Sequence, residues 1–71
     1  MPLAMVTPGQ AVRIVAVEAG EGLRSRLEAL GLLPGTELEV VQACGGGPLV
    51  IQVKGSRLML GRGMALKIHV A

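Results

Sequence analysis

Seventy-one residues suffice for one small domain with a thin core, and we expect a single domain over residues 1–71. Phe, Trp and Tyr are absent, hydrophobic residues make up 51% of the chain and charged residues 17%, so the core is aliphatic and some aliphatic surface stays exposed, as at partner-binding patches. Seven basic against five acidic side chains leave a net charge of +2, too weak a field to indicate a polyanion binder, and the single cysteine, Cys44, excludes an internal disulfide.

A lone thiol fits a reducing compartment. No apolar run approaches the ~18 residues of a membrane span. The stretch Met1-Pro2-Leu3-Ala4-Met5-Val6 lacks the basic start and the length of a signal peptide. The expectation is a cytoplasmic chain that does not itself span a membrane.

Eleven glycines and four prolines cut the sequence into short pieces, which favours a small barrel over a helical bundle. Thr7-Pro8-Gly9-Gln10 and Leu33-Pro34-Gly35-Thr36 share one turn chemistry. Proline pre-sets φ near −65°, and glycine takes the positive φ of a type II turn. Strand one is expected over Ala11 to Val17, with Val12, Ile14 and Ala16 on one face. A helix follows over Gly22 to Leu30, its stripe formed by Leu23, Leu27 and Leu30 at i, i+4 and i+7. Gly31 stands where a helix ends in a left-handed residue, and Leu32 can pack back on Leu27.

Strand two is expected over Glu37 to Ala43, closed by Gly45-Gly46-Gly47-Pro48. Strands three and four, Leu49 to Val53 and Ser56 to Leu60, flank a Lys54-Gly55 hairpin turn. Gly61-Arg62-Gly63-Met64 reads as a tight 3₁₀-like corner. Strand five then runs Leu66 to Val70, with Leu66, Ile68 and Val70 inward and Lys67 and His69 outward. The fold class is mainly β: a five-stranded SH3-like barrel with one short helix between strands one and two.

Candidate chemistry is sparse. His69, Cys44 and five glutamates are possible iron ligands, yet no His-x-His, Cys-x-x-Cys or His-x-x-Glu spacing gathers them. His69 reads as a solvated strand residue, Cys44 as a small packed side chain, and Glu37 with Glu39 as a solubilising strand face. Met1, Met5, Met59 and Met64 read as gap-fillers or adaptable contacts. No nucleophile–base set and no P-loop spacing occurs, so no residue reads as catalytic and no cofactor is expected. Arg13, Lys54, Arg57, Arg62 and Lys67 could cluster on nucleic acid, but the aromatics that stack bases are missing.

The Pro8-Gly9 turn, Arg26-Leu27 with Leu30-Gly31-Leu32-Leu33-Pro34-Gly35, Gly47-Pro48, and the closing Leu60-Gly61-Arg62-Gly63-Met64-Ala65-Leu66-Lys67-Ile68-His69-Val70 together resemble the FeoA family. These are small SH3-like proteins associated with bacterial ferrous iron uptake, and the match runs from about Val6 to Val70. Where family members often carry an acidic residue before the proline of the third strand, this chain has Gly47. The resemblance implies a non-enzymatic accessory that binds the cytoplasmic GTPase portion of the ferrous iron transporter FeoB. It also implies kinship with domains that end metal-dependent repressors, so a metal-sensing domain is an alternative, as is a nucleic-acid-binding SH3-like module. Leu32, Leu33, Met59 and Met64 are the apolar residues least demanded by the core pattern, and they form the expected partner surface.

Overall fold

The computed structural model describes residues 1–43 and 45–71; the expectation for Cys44 lies outside the described residues. Five strands form one antiparallel sheet: β1 (Ala11–Val17), β2 (Glu37–Ala43), β3 (Leu49–Val53), β4 (Ser56–Leu60) and β5 (Ile68–Val70). Helix α1 (Glu21–Ala29) links β1 to β2, and a single helical turn, α2 (Arg62–Ala65), links β4 to β5. A 3₁₀ turn at Leu3–Met5 precedes the sheet. The strand order is β4-β3-β2-β1-β5. β4 and β5 do not pair, so the sheet curls in the SH3-like manner without closing, and "barrel" is loose wording for it.

The two Pro-Gly turns behave alike. Gly9 and Gly35 sit at φ of 96° and 93°, and the turns close with Gln10 N–H to Thr7 C=O (3.1 Å) and Thr36 N–H to Leu33 C=O (3.0 Å). Each glycine also donates to the opposite strand: Gly9 to the Val40 carbonyl and Gly35 to the Ile14 carbonyl, both at 2.7 Å. Val40 and Ile14 donate back to Gln10 and Thr36. Thus each turn extends the β1–β2 ladder at one end, around the Val12–Leu38 pair.

Helix α1 ends as its sequence requires. Gly31 adopts φ 86°, its N–H reaches the Glu28 carbonyl, and the Leu32 N–H reaches the Leu27 carbonyl, both at 2.9 Å. That geometry carries Leu32 back into the core beside Leu27. Lys54, at the first position of a type I′ hairpin turn with Gly55, lays its side chain against Gly31. Its ammonium thereby lies by the carbonyl end of α1, where the helix dipole favours a cation.

Several expectations need correction. Ala16 is exposed and Val17 half-buried, because the β1–β5 register shifts between Ile14 and Ala16 and reverses the inward parity. Leu30 belongs to the cap of α1, not its stripe, and is 46% exposed. The Gly61–Met64 corner is an α-helical turn, and it shortens β5 to Ile68–Val70. Leu66 is therefore the C-cap of α2 and lies exposed instead of facing inward. The 3₁₀ turn near the N-terminus carries no clear sequence signal, yet it puts Leu3 in the core with Leu27, Leu32, Ile14, Ile51 and Ile68.

Candidate functional site

The register shift in β1 shapes one groove on the surface. Beyond it, Val15 and Ala16 face outward, while α1 crosses alongside. Between them runs an open groove of about 360 Å³, walled by Val15, Ala16, Val17 and Pro34. Leu32 lines its floor but is only 1% exposed, so it contributes little surface. Arg24 and Glu28, one turn apart on α1, form the polar rim, and the Arg24 guanidinium donates to the Val17 carbonyl at 3.4 Å. Leu33, 37% exposed at the start of the second Pro-Gly turn, and Leu30 extend the apolar surface of the adjoining helix cap and turn. An apolar trough with a charged rim is suited to receiving a side chain or a helix edge from another protein.

The four expected contact residues do not form one patch. Leu33 is accessible. Leu32 is core, because the helix cap turns it inward, so it is not the exposed apolar side chain that the sequence suggested. Met64, on α2, is half-buried and packs on the core. Met59 points to solvent from β4, 71% exposed. The groove residues Val15, Arg24, Glu28 and Pro34 were missed by sequence reasoning. One signal was present, since Ile14-Val15-Ala16-Val17 is an unbroken apolar run where an alternating strand should show a polar residue.

Charged groups elsewhere are spread out. Arg13 pairs with Glu37 at 3.1 Å across β1–β2, on exposed side chains. The His69 imidazole meets Glu18 at 3.1 Å, so His69 is less solvated than its strand position suggests. Arg62 is held by carbonyls, donating to Gly47 (3.2 Å), Ala4 (3.4 Å) and Gly45, and so ties the glycine loop to the N-terminal turn. Among the described residues no three of His, Cys, Asp and Glu converge as a metal site. No described helix is long and apolar enough to cross a membrane.

Comparison with known proteins gives a consistent result. The model of the FeoA domain matches residues 1–71. A candidate Fe(2+) transport protein A from Methanocaldococcus jannaschii is 39% identical over 69 residues, covering 97% of this chain and 83% of that protein. The crystal structure of an iron uptake regulatory protein, FeoA, superposes with a TM-score of 0.93 at 33% identity, covering 99% of this chain and 93% of that one. The zinc complex of FeoA from Stenotrophomonas maltophilia, described as a prokaryotic SH3-domain protein and a candidate ferrous iron transport activating factor, superposes with a TM-score of 0.86 at 28% identity, covering 100% of this chain and 89% of that one. The manganese regulator SloR shares the fold alone, at 22% identity with 33% of its chain covered and a TM-score of 0.86.

Proposed function

The chain belongs to the FeoA family, and on that premise we propose that it is a non-enzymatic accessory of ferrous iron uptake that binds the cytoplasmic GTPase portion of a FeoB-like transporter. The observation carrying this reading is the family match over residues 1–71, supported by relatives described as ferrous iron transport proteins. Among the described residues no three of His, Cys, Asp and Glu gather as a metal site, and β1 and α1 frame an exposed apolar trough. Its action would then be a population shift: binding one conformation of the GTPase portion more tightly than another. Acting there puts it in the cytoplasm. The contact surface is the β1–α1 groove with Leu33 at its margin, and Arg24 and Glu28 set orientation.

The test is a titration of the purified G domain of the FeoB-like transporter from the same organism, in GDP-bound and GTP-analogue-bound forms. Binding is expected, with different affinities for the two forms. Leu33→Glu, on an exposed side chain, should leave the fold intact and weaken binding by about tenfold or more. Unchanged affinity would move the contact away from the groove. No binding of the unaltered protein to either the G domain or the whole transporter would refute the proposed role.

A further inference from the structure

The carboxylate side chains all fall at or before Glu39, whereas residues 40–71 carry Lys54, Arg57, Arg62, Lys67 and His69 with no acidic residue. Of these, Arg57 stands on β4 at one margin of the sheet, while Lys54 lies against Gly31 and Arg62 against the carbonyls of Gly45, Gly47 and Ala4. The two margins differ. At β5, the Met1 ammonium donates to the Val70 carbonyl (3.0 Å), the Val70 N–H donates to the Met1 carbonyl (2.7 Å), and Pro2 bridges His69. That edge is covered. β4 has β3 on one side and, among the described residues, no strand on the other.

The hairpin geometry fixes which groups face outward. A two-residue turn makes Val53 and Ser56 a hydrogen-bonded pair, so Leu58 and Leu60 also exchange bonds with β3, while Arg57 and Met59 direct their N–H and C=O groups away from the sheet. No described residue hydrogen-bonds to those four backbone groups. The β3–β4 ladder runs from Leu49–Leu60 to Val53–Ser56 without a register shift, so no bulge turns this edge aside. No proline blunts it, and Arg57 is the one charged side chain on the strand.

We propose that the outer edge of β4 is a docking edge for an extended acidic segment of a partner protein, added as a sixth strand. Arg57 and Met59 project from the same sheet face two residues apart. The incoming strand therefore needs a carboxylate and an apolar side chain at the same spacing. Charge selects the partner. Arg57 is the exposed cation on this edge, its Nε donating to Gln52 Oε1 at 3.3 Å, and the nearest carboxylate in the cross-strand row, Glu39, stands two strands away behind Gln52. The β4 edge of a second copy of the chain would bring another Arg57 and no carboxylate. Nucleic acid would find no aromatic ring on which to stack a base. This edge is separate from the β1–α1 groove and does not depend on what that groove binds.

The probe is a capped hexapeptide with threonine at alternate positions and glutamate, valine and glutamate between them, titrated into isotopically labelled full-length protein. The expected result is slowed hydrogen exchange and shifted amide signals at Arg57 and Met59, with affinity falling as salt rises. A version with lysine for glutamate should bind about tenfold more weakly, and Arg57→Glu, on an exposed side chain, should reverse that preference. Of two peptides N-methylated on alternate amides, one for each phase, only one should still bind. The proposal is overturned by any of four results: no change at Arg57 and Met59 at ~5 mM acidic peptide, equal binding of the lysine version, tighter binding of a single-stranded oligonucleotide at the same amides, or protection of those amides by dimerisation alone.

Discussion

Truncating Leu27 on α1 and Leu30 at its C-cap separates core from surface. Leu27 is 0% exposed, and its carbonyl accepts the N–H of both Leu30 and Leu32, so it joins the helix cap to the core. Leu27→Ala removes buried methyl groups and leaves a cavity, a change that costs about 2–5 kcal/mol. A chain of this length is stable by only about 4–10 kcal/mol. With a urea slope near ~1 kcal/mol/M, a loss of about 3 kcal/mol lowers the midpoint by roughly 3 M. Leu30→Ala is the control. That side chain is half in solvent and loses about half of its transfer energy, so the shift should stay under about 1 M. Equal effects of the two substitutions, or a Leu27→Ala loss below about 1 kcal/mol, would refute this placement of the helix.

Gly31→Ala should cost about 1–2 kcal/mol through its positive φ alone, since the nearest atom to an added Cβ is Lys54 Nζ at an ordinary 3.6 Å. Calorimetry should show a melting temperature lower by several degrees, with Gly31→Asn losing less. Arg62→Met deletes the three donors that reach Gly45, Gly47 and Ala4, and should cost about 2 kcal/mol. Amide exchange around the Gly45–Gly47 loop should speed up more than in β1. By contrast, Glu37→Gln should change stability by less than about 1 kcal/mol, because the Arg13–Glu37 pair is exposed; a larger loss in a urea melt would show that it does more than decorate the surface.

Most of the fold was legible because the chain is punctuated by residues whose backbone chemistry is local. Pro8-Gly9, Pro34-Gly35, Gly31 and Lys54-Gly55 each allow few conformations, and the ends of β1 through β4 follow from them. The failures arise where the outcome depends on distant partners. The β1 bulge answers to its pairing with β5, and the apolar run Ile14-Val15-Ala16-Val17 does not say which of its residues turn inward, so Ala16 and Val17 exchange faces. Leu66 looked like the first inward residue of a strand, but the helical turn at Arg62–Ala65 consumes it as a cap. The candidate site inherits both effects. Leu33 was recognisable from its place in the Pro-Gly turn. Leu32 was assigned to the surface although the same cap draws it onto Leu27. The groove itself exists only because the bulge turns Val15 and Ala16 outward beside α1.

The most direct measurement is equilibrium binding of the full-length protein to the isolated G domain of the FeoB-like transporter from the same organism, followed by calorimetry with each nucleotide. A saturable one-to-one complex whose affinity depends on the nucleotide, and which Leu33→Glu weakens while the fold stays intact, is the predicted result. Absence of a complex with either nucleotide, carried through to the whole transporter, would contradict the account.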